Sequence, residues 1–542
     1  MKKTAISLTV CSLLIAMSGC NNAEQGKVAS PDIKVDIAPE SADEPKPFYA
    51  EDWDSLSKVN EQPDWFQDAK LGIYAHWGPI STANIDMKPG AGWYGLNLYM
   101  DKVYDWKTGE IRVNDKNPAG FPSAIFKQHE KKYGHPSEFG YKDLIPLFNP
   151  TGFDAKEWAE LFKASGAKFA GPVAMHHDNF AMWDSEVTRW NVKDFNGIDV
   201  TGELKVSIEA QGMKFLTSFH HAFTWIYYAN AYKFDATAET SDLYTDQHAL
   251  TDFKPTKRFH DEWYAKLKEV VDNYQPDVVW FDWWVEELDE SYRKKFIAYY
   301  YNKGKEWGKD VVISYKNTSF PETVGVHDYE RGRPKQLKDK FWMTDTSPGA
   351  WFYRQDAKFV TSNEIVDILI DIVAKNGLML LNVTPNPDGS IPPEMKTMLK
   401  EMGNWLAING EGIYETRPWH VFGEGPTRIR GGGHKIEKQK IVYNEKDIRF
   451  TTKGDDTLFT LVMDAPTENI LVETLSTNLS VLRGGIQSIT LLGSDEAVNW
   501  SLDHQGLHIE KPKTIPSSFA LVYKISLVNE AEWGIGGEDD PT

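Results

Sequence analysis

Cysteine is almost absent from this chain of 542 residues, and both copies, Cys11 and Cys20, stand near the N-terminus. From residue 21 onward the chain can form no disulfide, and no thiolate is available to ligate a metal ion. A protein of this size must then be held together by its hydrophobic core alone. Hydrophobic residues make up 41% of the chain, which is enough for such a core.

Positively charged residues are outnumbered by negatively charged ones. The chain has 59 Lys and Arg against 79 Asp and Glu, a formal net charge of −20. This balance argues against nucleic acid or an anionic membrane surface as the main partner. Aromatic residues, at 13%, are plentiful. They favour a protein that stacks rings on sugar faces, with a large aromatic core as the alternative.

Several motifs of common enzyme classes are missing from the sequence. There is no phosphate-binding loop, because the glycines at 431–433 follow no strand-loop-helix pattern and lack the GKS/T ending. The nucleophile elbow G-x-S-x-G and the metalloprotease motif H-E-x-x-H are absent as well. The chemistry therefore falls to carboxylates and histidines, and we predict no cofactor.

The N-terminal segment 1–20 is typical of an export signal. Two lysines precede an apolar run, Ala5 to Met17, that is too short to span a membrane. The letters M-S-G-C from Met17 resemble a bacterial lipobox, in which Cys20 would carry lipid; Met17 replaces the usual Leu, so plain secretion is the alternative. Two asparagines follow the cysteine. We predict a lipoprotein of the periplasm or outer membrane, in contact with membrane only through this anchor.

Composition divides the rest of the chain into four parts. Residues 21–48 are rich in Asp, Glu, Pro, Ala and Ser, which predicts a disordered tether. Residues 49–415 alternate strand and helix patterns. Residues 416–528 show short alternating strands without helices, which predicts an antiparallel β-sandwich. The acidic tail is 529–542.

The alternation in residues 49–415 predicts an α/β fold, a (β/α)₈-like barrel with interposed helices. The sixth and seventh strands are weak, and no clear helix separates them. The eight strand candidates are Leu71–Trp77, Phe169–His176, Lys214–His221, Val278–Asp282, Val311–Lys316, His327–Glu330, Phe341–Asp345 and Leu378–Val383.

Polar residues fall at the C-terminal ends of these candidates, where barrel enzymes carry their chemistry. They are His76, His176, His177, Asp178, His220, His221, Asp282, Glu330 and Asp345.

The fourth candidate, V-V-W-F-D-W-W from Val278, is the most informative. Alternate residues of a strand share a face, so Trp280 and Asp282 point the same way and an indole lies beside an acid. That pairing suits a sugar site, which needs an apolar platform and a nucleophile or base. A strand that ends in a solvated Asp is the alternative.

The motif A-M-H-H-D-N-F-A-M-W from Ala174 raises the question of a metal site. Adjacent histidines on a strand point to opposite faces, so His176 and His177 cannot easily bind one ion, and we predict no metal. Hydrogen bonding to sugar hydroxyls fits better, since neutral imidazole both donates and accepts. A core histidine bonded to a carbonyl is the alternative for either residue.

Six blocks stand out in order along the chain. They are W-F-Q-D-A-K-L-G-I-Y-A-H-W-G-P from Trp65, F-N-P-T-G-F-D-A-K-E-W-A from Phe148, M-H-H-D-N-F-A-M-W-D-S from Met175, P-D-V-V-W-F-D from Pro276, D-Y-E-R-G from Asp328 and I-V-A-K-N-G-L-M-L-L-N-V-T-P-N-P-D-G-S-I-P from Ile372. Together they resemble the α-L-fucosidases of glycoside hydrolase family 29, and the resemblance extends from about Trp65 to the end of the sandwich.

The resemblance implies an exo-acting, retaining α-L-fucosidase with Asp282 as nucleophile. Glu330, in D-Y-E-R-G, is the predicted general acid/base, and Asp345 is its rival. The sequence departs from the family at Asn179 and Trp283, where Gly is usual. The predicted substrate-binding residues are His76, Trp77, Tyr94, His176, His177, Trp280, Arg331 and Trp351.

Two other functions stay open at this point. One is a catalytically inactive surface glycan-binding protein on a hydrolase fold. The other is a hydrolase of a related sugar such as α-L-galactose. The expected partner is a fucosylated oligosaccharide or glycan, and the sequence leaves the oligomeric state open.

Overall fold

The computed structural model describes residues 47–83, 91–105, 107–112, 122–429, 441–479 and 485–528. The predicted export signal, nearly all of the tether, and the acidic tail lie outside these residues and stay predictions. Among the described residues, no helix has both the length and the apolar character needed to cross a membrane.

Within the described residues, eight parallel strands close into a barrel in chain order, with β8 pairing back onto β1. The predicted barrel is confirmed. The strands are β1 Leu71–Ala75, β2 Phe169–Met175, β3 Lys214–Phe219, β4 Val278–Phe281, β5 Val312–Lys316, β6 Val326–Asp328, β7 Trp342–Thr346 and β8 Gly377–Val383.

Helices lie between the barrel strands along the chain, and several short ones lie in the loops that follow the strands. The α-helices of the described residues are α1 Trp53–Leu56, α2 Asp64–Ala69, α3 Pro79–Thr82, α4 Tyr94–Leu98, α5 Ala124–Tyr133, α6 Tyr141–Leu144, α7 Ala155–Ala164, α8 Val192–Asn196, α9 Val200–Ala210, α10 Thr224–Tyr227, α11 Ser241–Tyr244, α12 Lys257–Tyr274, α13 Glu290–Trp307, α14 Ser362–Ala374 and α15 Pro393–Asn409. Turns of 3₁₀ helix lie at Ala91–Trp93, Ile145–Leu147, His221–Phe223, Ala231–Lys233, Ala238–Thr240, Val285–Glu287 and Gly410–Gly412.

The connection between β6 and β7 has no helix. Residues 329–341 are all described and form only turns and bends. The two strands pair weakly, through Asp328 and Met343. This interrupts the ring of helices next to α14, which begins with a capping box between Thr361 and Glu364.

Strand alternation separates two cores. Val278 and Trp280 of β4 point into the barrel, whose interior is also filled by Tyr74. Val279 and Phe281 of the same strand pack outward against the helices. The barrel is therefore a packed core below its mouth, and only the mouth can hold a substrate.

The C-terminal region is a sandwich of antiparallel sheets, as predicted. A five-stranded sheet has the order β13-β16-β11-β10-β9, and a three-stranded sheet has the order β12-β15-β14. Side chains from both sheets share one hydrophobic cluster. The strands are β9 Arg417–Glu424, β10 Ile448–Lys453, β11 Thr457–Val462, β12 Ile470–Val472, β13 Ile486–Leu491, β14 Trp500–Leu502, β15 Leu507–Ile509 and β16 Leu521–Leu527.

A buried ionic cluster joins α14 to this sandwich. The Asp371 carboxylate accepts from Arg449 Nε of β10 at 2.8 Å and from Lys375 Nζ at 2.9 Å. Burial alone would raise the pKa of Asp371, but the two cations hold it well below its usual range. Removal of one partner would leave a buried charge uncompensated, so the cluster fixes α14 against the sandwich.

Candidate active site

Asp282 follows β4 at the mouth of the barrel and is 5% exposed. His220, which follows β3, donates from Nδ1 to Asp282 Oδ2 at 2.9 Å. The Lys316 ammonium, at the end of β5, lies 3.1 Å from Asp282 Oδ1. Burial alone would raise the pKa of Asp282, but Lys316 and His220 hold it well below its usual range. The carboxylate is therefore ionised at neutral pH, as a nucleophile must be.

Lys316 binds three carboxyl groups at once. Besides Asp282, its Nζ lies 3.4 Å from Glu330 Oε2 and 3.0 Å from Asp345 Oδ2. Burial lowers the pKa of Lys316, yet the surrounding carboxylates raise it well above its usual range. This cation holds the predicted nucleophile, Asp282, and both acid/base candidates in one cluster.

A further carboxyl group, Asp328, lies beneath this cluster. Its Oδ2 accepts from Trp280 Nε1 at 2.7 Å, and its Oδ1 accepts from the backbone N–H of Asp345 at 3.1 Å. Burial and the neighbouring Asp345 raise the pKa of Asp328 well above its usual range. Trp280 is fully buried. It is not one of the residues that line the cavity and packs instead in the barrel interior, with its ring centroid 5.0 Å from that of His220, which corrects the prediction that it lines the sugar pocket.

His176 and His177 both face the cavity, against the expectation of opposite faces. The strand β2 ends at Met175, so the pair lies in the following turn. The register of β2 against β3 also shifts between Val173 and Met175, which redirects the chain. The two imidazole rings lie 4.3 Å apart. Strand alternation does not apply beyond the last paired residue.

Hydrogen bonds fix the imidazoles in defined roles. His76 Nδ1 donates to Asn382 Oδ1 at 2.8 Å, and His177 Nδ1 donates to the carbonyl oxygen of His220 at 2.7 Å. Burial lowers the pKa of His76 well below its usual range and that of His177 to about 4. Both rings are neutral at pH 7, so the Nε2 atoms can accept from hydroxyl groups.

One cavity of about 1020 Å³ contains these groups. We define its inner end as the sugar lobe, lined by His76, His176, His177, His220, Asp282 and Lys316.

Aromatic rings form the cavity walls. Trp351 lies against His76, with the ring centroids 5.3 Å apart, and the Arg331 guanidinium lies 4.5 Å from the centre of the Trp351 ring. Trp93 and Trp283 form another wall, with ring centroids 5.9 Å apart. Trp283, the residue directly after Asp282, thus forms part of the cavity wall.

Two predicted contacts, Trp77 and Tyr94, belong instead to the core around the cavity. The Trp77 ring packs against Phe153 at 5.3 Å, and the Tyr94 hydroxyl bonds to His129 Nδ1 at 2.6 Å. Each is the chain neighbour of a residue that does line the cavity, His76 or Trp93. A shift of one position turns a side chain to another side of the backbone.

By distance alone, two groups of side chains here could hold a metal ion. They are His76, His176 and His220, and His177, His220 and Asp282, whose ligand atoms lie within 4.8 Å of one another. Hydrogen bonds already occupy Nδ1 of His76, His177 and His220. The remaining nitrogens suit sugar hydroxyls equally well.

Asn179, where the family usually has Gly, has a backbone φ of 61°. Asn tolerates this left-handed region better than most residues, so the exchange keeps the turn that follows His176 and His177. Its side chain accepts from the buried Lys266 Nζ at 2.9 Å and donates to the Leu243 carbonyl at 3.1 Å. These bonds tie the histidine turn to α11 through Leu243 and to α12 through Lys266.

Cleavage of a glycosidic bond needs one carboxylate kept ionised and a second carboxyl group within reach of it, and this cavity supplies both. In class the protein is a glycoside hydrolase. The α-L-fucosidase family model matches residues 37–411, and the model of the α-L-fucosidase C-terminal domain matches residues 443–526. The chain belongs to the α-L-fucosidase family.

Individual relatives agree with this. Tissue α-L-fucosidase of Rattus norvegicus is 29% identical over 500 residues, 89% of this chain and 93% of the relative. An α-L-fucosidase of Dictyostelium discoideum is 27% identical over 443 residues, 78% of this chain and 82% of the relative. The structure of Thermotoga maritima α-fucosidase in complex with fucose superposes with a TM-score of 0.67 at 26% identity, covering 88% of this chain and all of that one.

Proposed function

We propose that this chain is an exo-acting α-L-fucosidase that releases terminal α-L-fucose from oligosaccharides or glycoconjugates with net retention of configuration. Asp282 attacks the anomeric carbon while Glu330 gives its proton to the leaving oxygen. A covalent fucosyl ester forms on Asp282. Glu330 then accepts a proton from water, and this water hydrolyses the ester.

The contact of Asp282 with Lys316 is the observation that carries this proposal. Asp282 Oδ1 and Glu330 Oε2 both lie on Lys316 Nζ, so the sum of these two distances, about 6.5 Å, is the largest separation they can have. Retaining pairs stand about 5 to 5.5 Å apart and inverting pairs about 6.5 to 9.5 Å. Asp345 Oδ2 lies 3.0 Å from the same Nζ and so falls within a similar limit of Asp282, which means that the distance favours retention without choosing the acid.

Lys316 also supports the two-step cycle. While Asp282 is ionised, its charge balances the ammonium. Once Asp282 is esterified, that charge is gone, and the ammonium favours release of the proton from Glu330. The barrel interior next to the sugar lobe is filled by packed side chains, Trp280 among them, so the lobe does not continue through the barrel, which supports attack at chain ends only.

The neutral histidines support recognition of hydroxyl groups. His177 Nε2 and Asp282 Oδ2 lie 3.5 Å apart, and both are acceptors at neutral pH. A sugar hydroxyl near both atoms would donate to one of them. The fucose complex of the Thermotoga relative supports fucose as this sugar.

The test is hydrolysis of a chromogenic aryl α-L-fucoside by the full chain, with the α-L-galactoside as comparison. We expect turnover of the fucoside at least about tenfold above the galactoside, since a site shaped for a methyl group discriminates by about 1 to 3 kcal/mol. Proton NMR should detect the α-anomer of fucose first. A β-anomer would indicate inversion, and no turnover would favour a glycan-binding protein.

We also propose that the protein is exported and carries lipid on Cys20. Its support is the lysine-led apolar run that ends in M-S-G-C. In cells, Cys20→Ser should move the protein from the membrane fraction to the soluble one, whereas Cys11→Ser should not. Equal membrane retention of both variants would contradict a lipid anchor.

A further inference from the structure

Besides the sugar lobe, the same cavity is lined by residues of the β6–β7 connection, of α14 and of the segment 441–443, and we call this part the distal lobe. It is lined by Arg333, Glu364, Asp367, Ile368, Ile441 and Tyr443. The whole cavity, about 1020 Å³, stands at the upper end of the range of about 300 to 1,000 Å³ for pockets that bind drug-sized ligands. One fucose does not fill it.

The distal lobe lies where the connection between β6 and β7 has no helix to cover the barrel. The helix ring is interrupted beside α14, and the connection at 329–341 carries Arg333 into the gap. Tyr443, from the C-terminal region, closes the gap, and its hydroxyl accepts from Arg333 Nη1 at 3.3 Å. The lobe is thus built by both the barrel and the sandwich region.

Two buried polar atoms in this lobe have no hydrogen-bond partner, Oδ1 of Asp367 and Nε of Arg333. Asp367 is 6% exposed and Arg333 4% exposed. Each such atom costs about 1 to 3 kcal/mol unless something pairs with it. Both atoms belong to side chains that line this lobe, and a polar ligand bound there would supply the missing partners.

The charges of the lobe restrict the kind of ligand. Arg333 already lies 3.6 Å from the Asp371 carboxylate. Burial raises the pKa of Asp367 to about 8, so this group is mostly neutral at pH 7 and can both donate and accept. Arg333 shares the Asp371 carboxylate with Lys375 and Arg449. The lining of the lobe itself carries one cation, Arg333, and one carboxylate, Glu364, while Ile368, Ile441 and the Tyr443 ring offer apolar surface. This combination suits an uncharged sugar, which has hydroxyl groups and an apolar face.

We propose that the distal lobe binds an uncharged hexose of the leaving group, beyond the sugar that carries the fucose, through Asp367 and Arg333. This inference rests on the proposed fucosidase function, because the lobe is continuous with the sugar lobe. The enzyme then prefers fucosylated glycans with at least two further sugars over those with one.

The test compares kcat/KM for an aryl α-L-fucoside with that for linkage-matched fucosylated disaccharides and trisaccharides. The wild-type enzyme should prefer the trisaccharide of each pair. In Asp367→Ala the ratio of trisaccharide to aryl kcat/KM should fall about tenfold, the effect of roughly 1.4 kcal/mol of lost hydrogen bonding. This ratio does not depend on how much of a variant is folded.

Two variants serve as controls. Asp367→Asn keeps a donor and an acceptor and should restore most of the ratio. Glu394→Ala removes an exposed carboxylate on α15, away from the cavity, and should leave the ratio as in wild type. An unchanged ratio in Asp367→Ala, or tighter binding of a sulfated trisaccharide than of the neutral one, would overturn the proposal. Loss of aryl fucoside turnover in the wild type would instead refute the fucosidase function.

Discussion

Replacement of Asp282 by glycine is expected to lower kcat on an aryl α-L-fucoside by roughly 10⁴-fold or more, the usual effect of losing a catalytic nucleophile. His220, Lys316 and their hydrogen-bonding neighbours would remain in place around the vacated space. Azide, a small anion, fits beside the Lys316 ammonium. Added azide should therefore restore part of the activity and give β-L-fucosyl azide, because it attacks from the face that Asp282 occupied.

Asp277 provides a matched control for this experiment. It directly precedes β4, whereas Asp282 directly follows it, and its carboxylate accepts from the backbone N–H of Phe215 at 2.9 Å. Asp277→Asn can lower stability, but azide should give no fucosyl azide with it. Substantial turnover by Asp282→Gly without any azide product would remove Asp282 as the nucleophile.

The position of Asp282 could be predicted because it depends on local pattern alone. Strand alternation puts Val278 and Trp280 on one face, and the structure has both in the barrel interior. The weak sixth and seventh strands could be recognised for the same reason, since few apolar residues mark them. The approximate extent of a strand, and which of its residues share a face, can be read from the pattern of neighbouring residues.

The contacts around Asp282 could not be predicted, because they join distant parts of the chain. In the sequence Lys316 is only the last residue of a strand candidate, yet in the structure it binds three carboxyl groups. Asn382 orients His76 across 306 positions. His220 was noted only as a strand end. The one available signal was shared by all of them: each polar side chain stands at or near the C-terminal end of a barrel strand.

Register explains the errors as well. Trp77 directly follows His76 in one of the matching blocks, and Tyr94 is one of several aromatic residues that follow the first strand in the sequence. Their direction depends on where β1 and the 3₁₀ turn before α4 end, which the sequence leaves uncertain by a residue or more. A bulge in β2 likewise brought His176 and His177 to the same side.

The choice between Glu330 and Asp345 as acid/base rests on access. The Glu330 side chain is 18% exposed, whereas that of Asp345 is 2% exposed. Asp345 Oδ2 is also held by the Tyr74 hydroxyl at 2.9 Å, in addition to Lys316. A group that gives a proton to the leaving oxygen and takes one from water must reach both, and Glu330 does so more readily. Asp345 is better placed to orient Lys316.

Glu330→Ala should therefore lower kcat/KM by about 10² to 10⁴-fold on fucosides with poor leaving groups, the usual contribution of a general acid. On an aryl fucoside with an activated leaving group the loss should be far smaller, because departure needs little protonation. Asp345→Asn should reduce both to a similar extent. The measurement is kcat/KM over a series of leaving groups for each variant.

Azide also distinguishes Glu330 from Asp345 as the general acid/base. In Glu330→Ala the fucosyl ester on Asp282 still forms from an activated substrate, and azide then attacks it without a base. The product should be α-L-fucosyl azide, the opposite anomer to that from Asp282→Gly. If Asp345→Ala gave the α-azide and Glu330→Ala did not, the two roles would have to be exchanged. Because the anomer reports which face azide attacked, the pair of products distinguishes nucleophile from acid/base independently of any loss of stability.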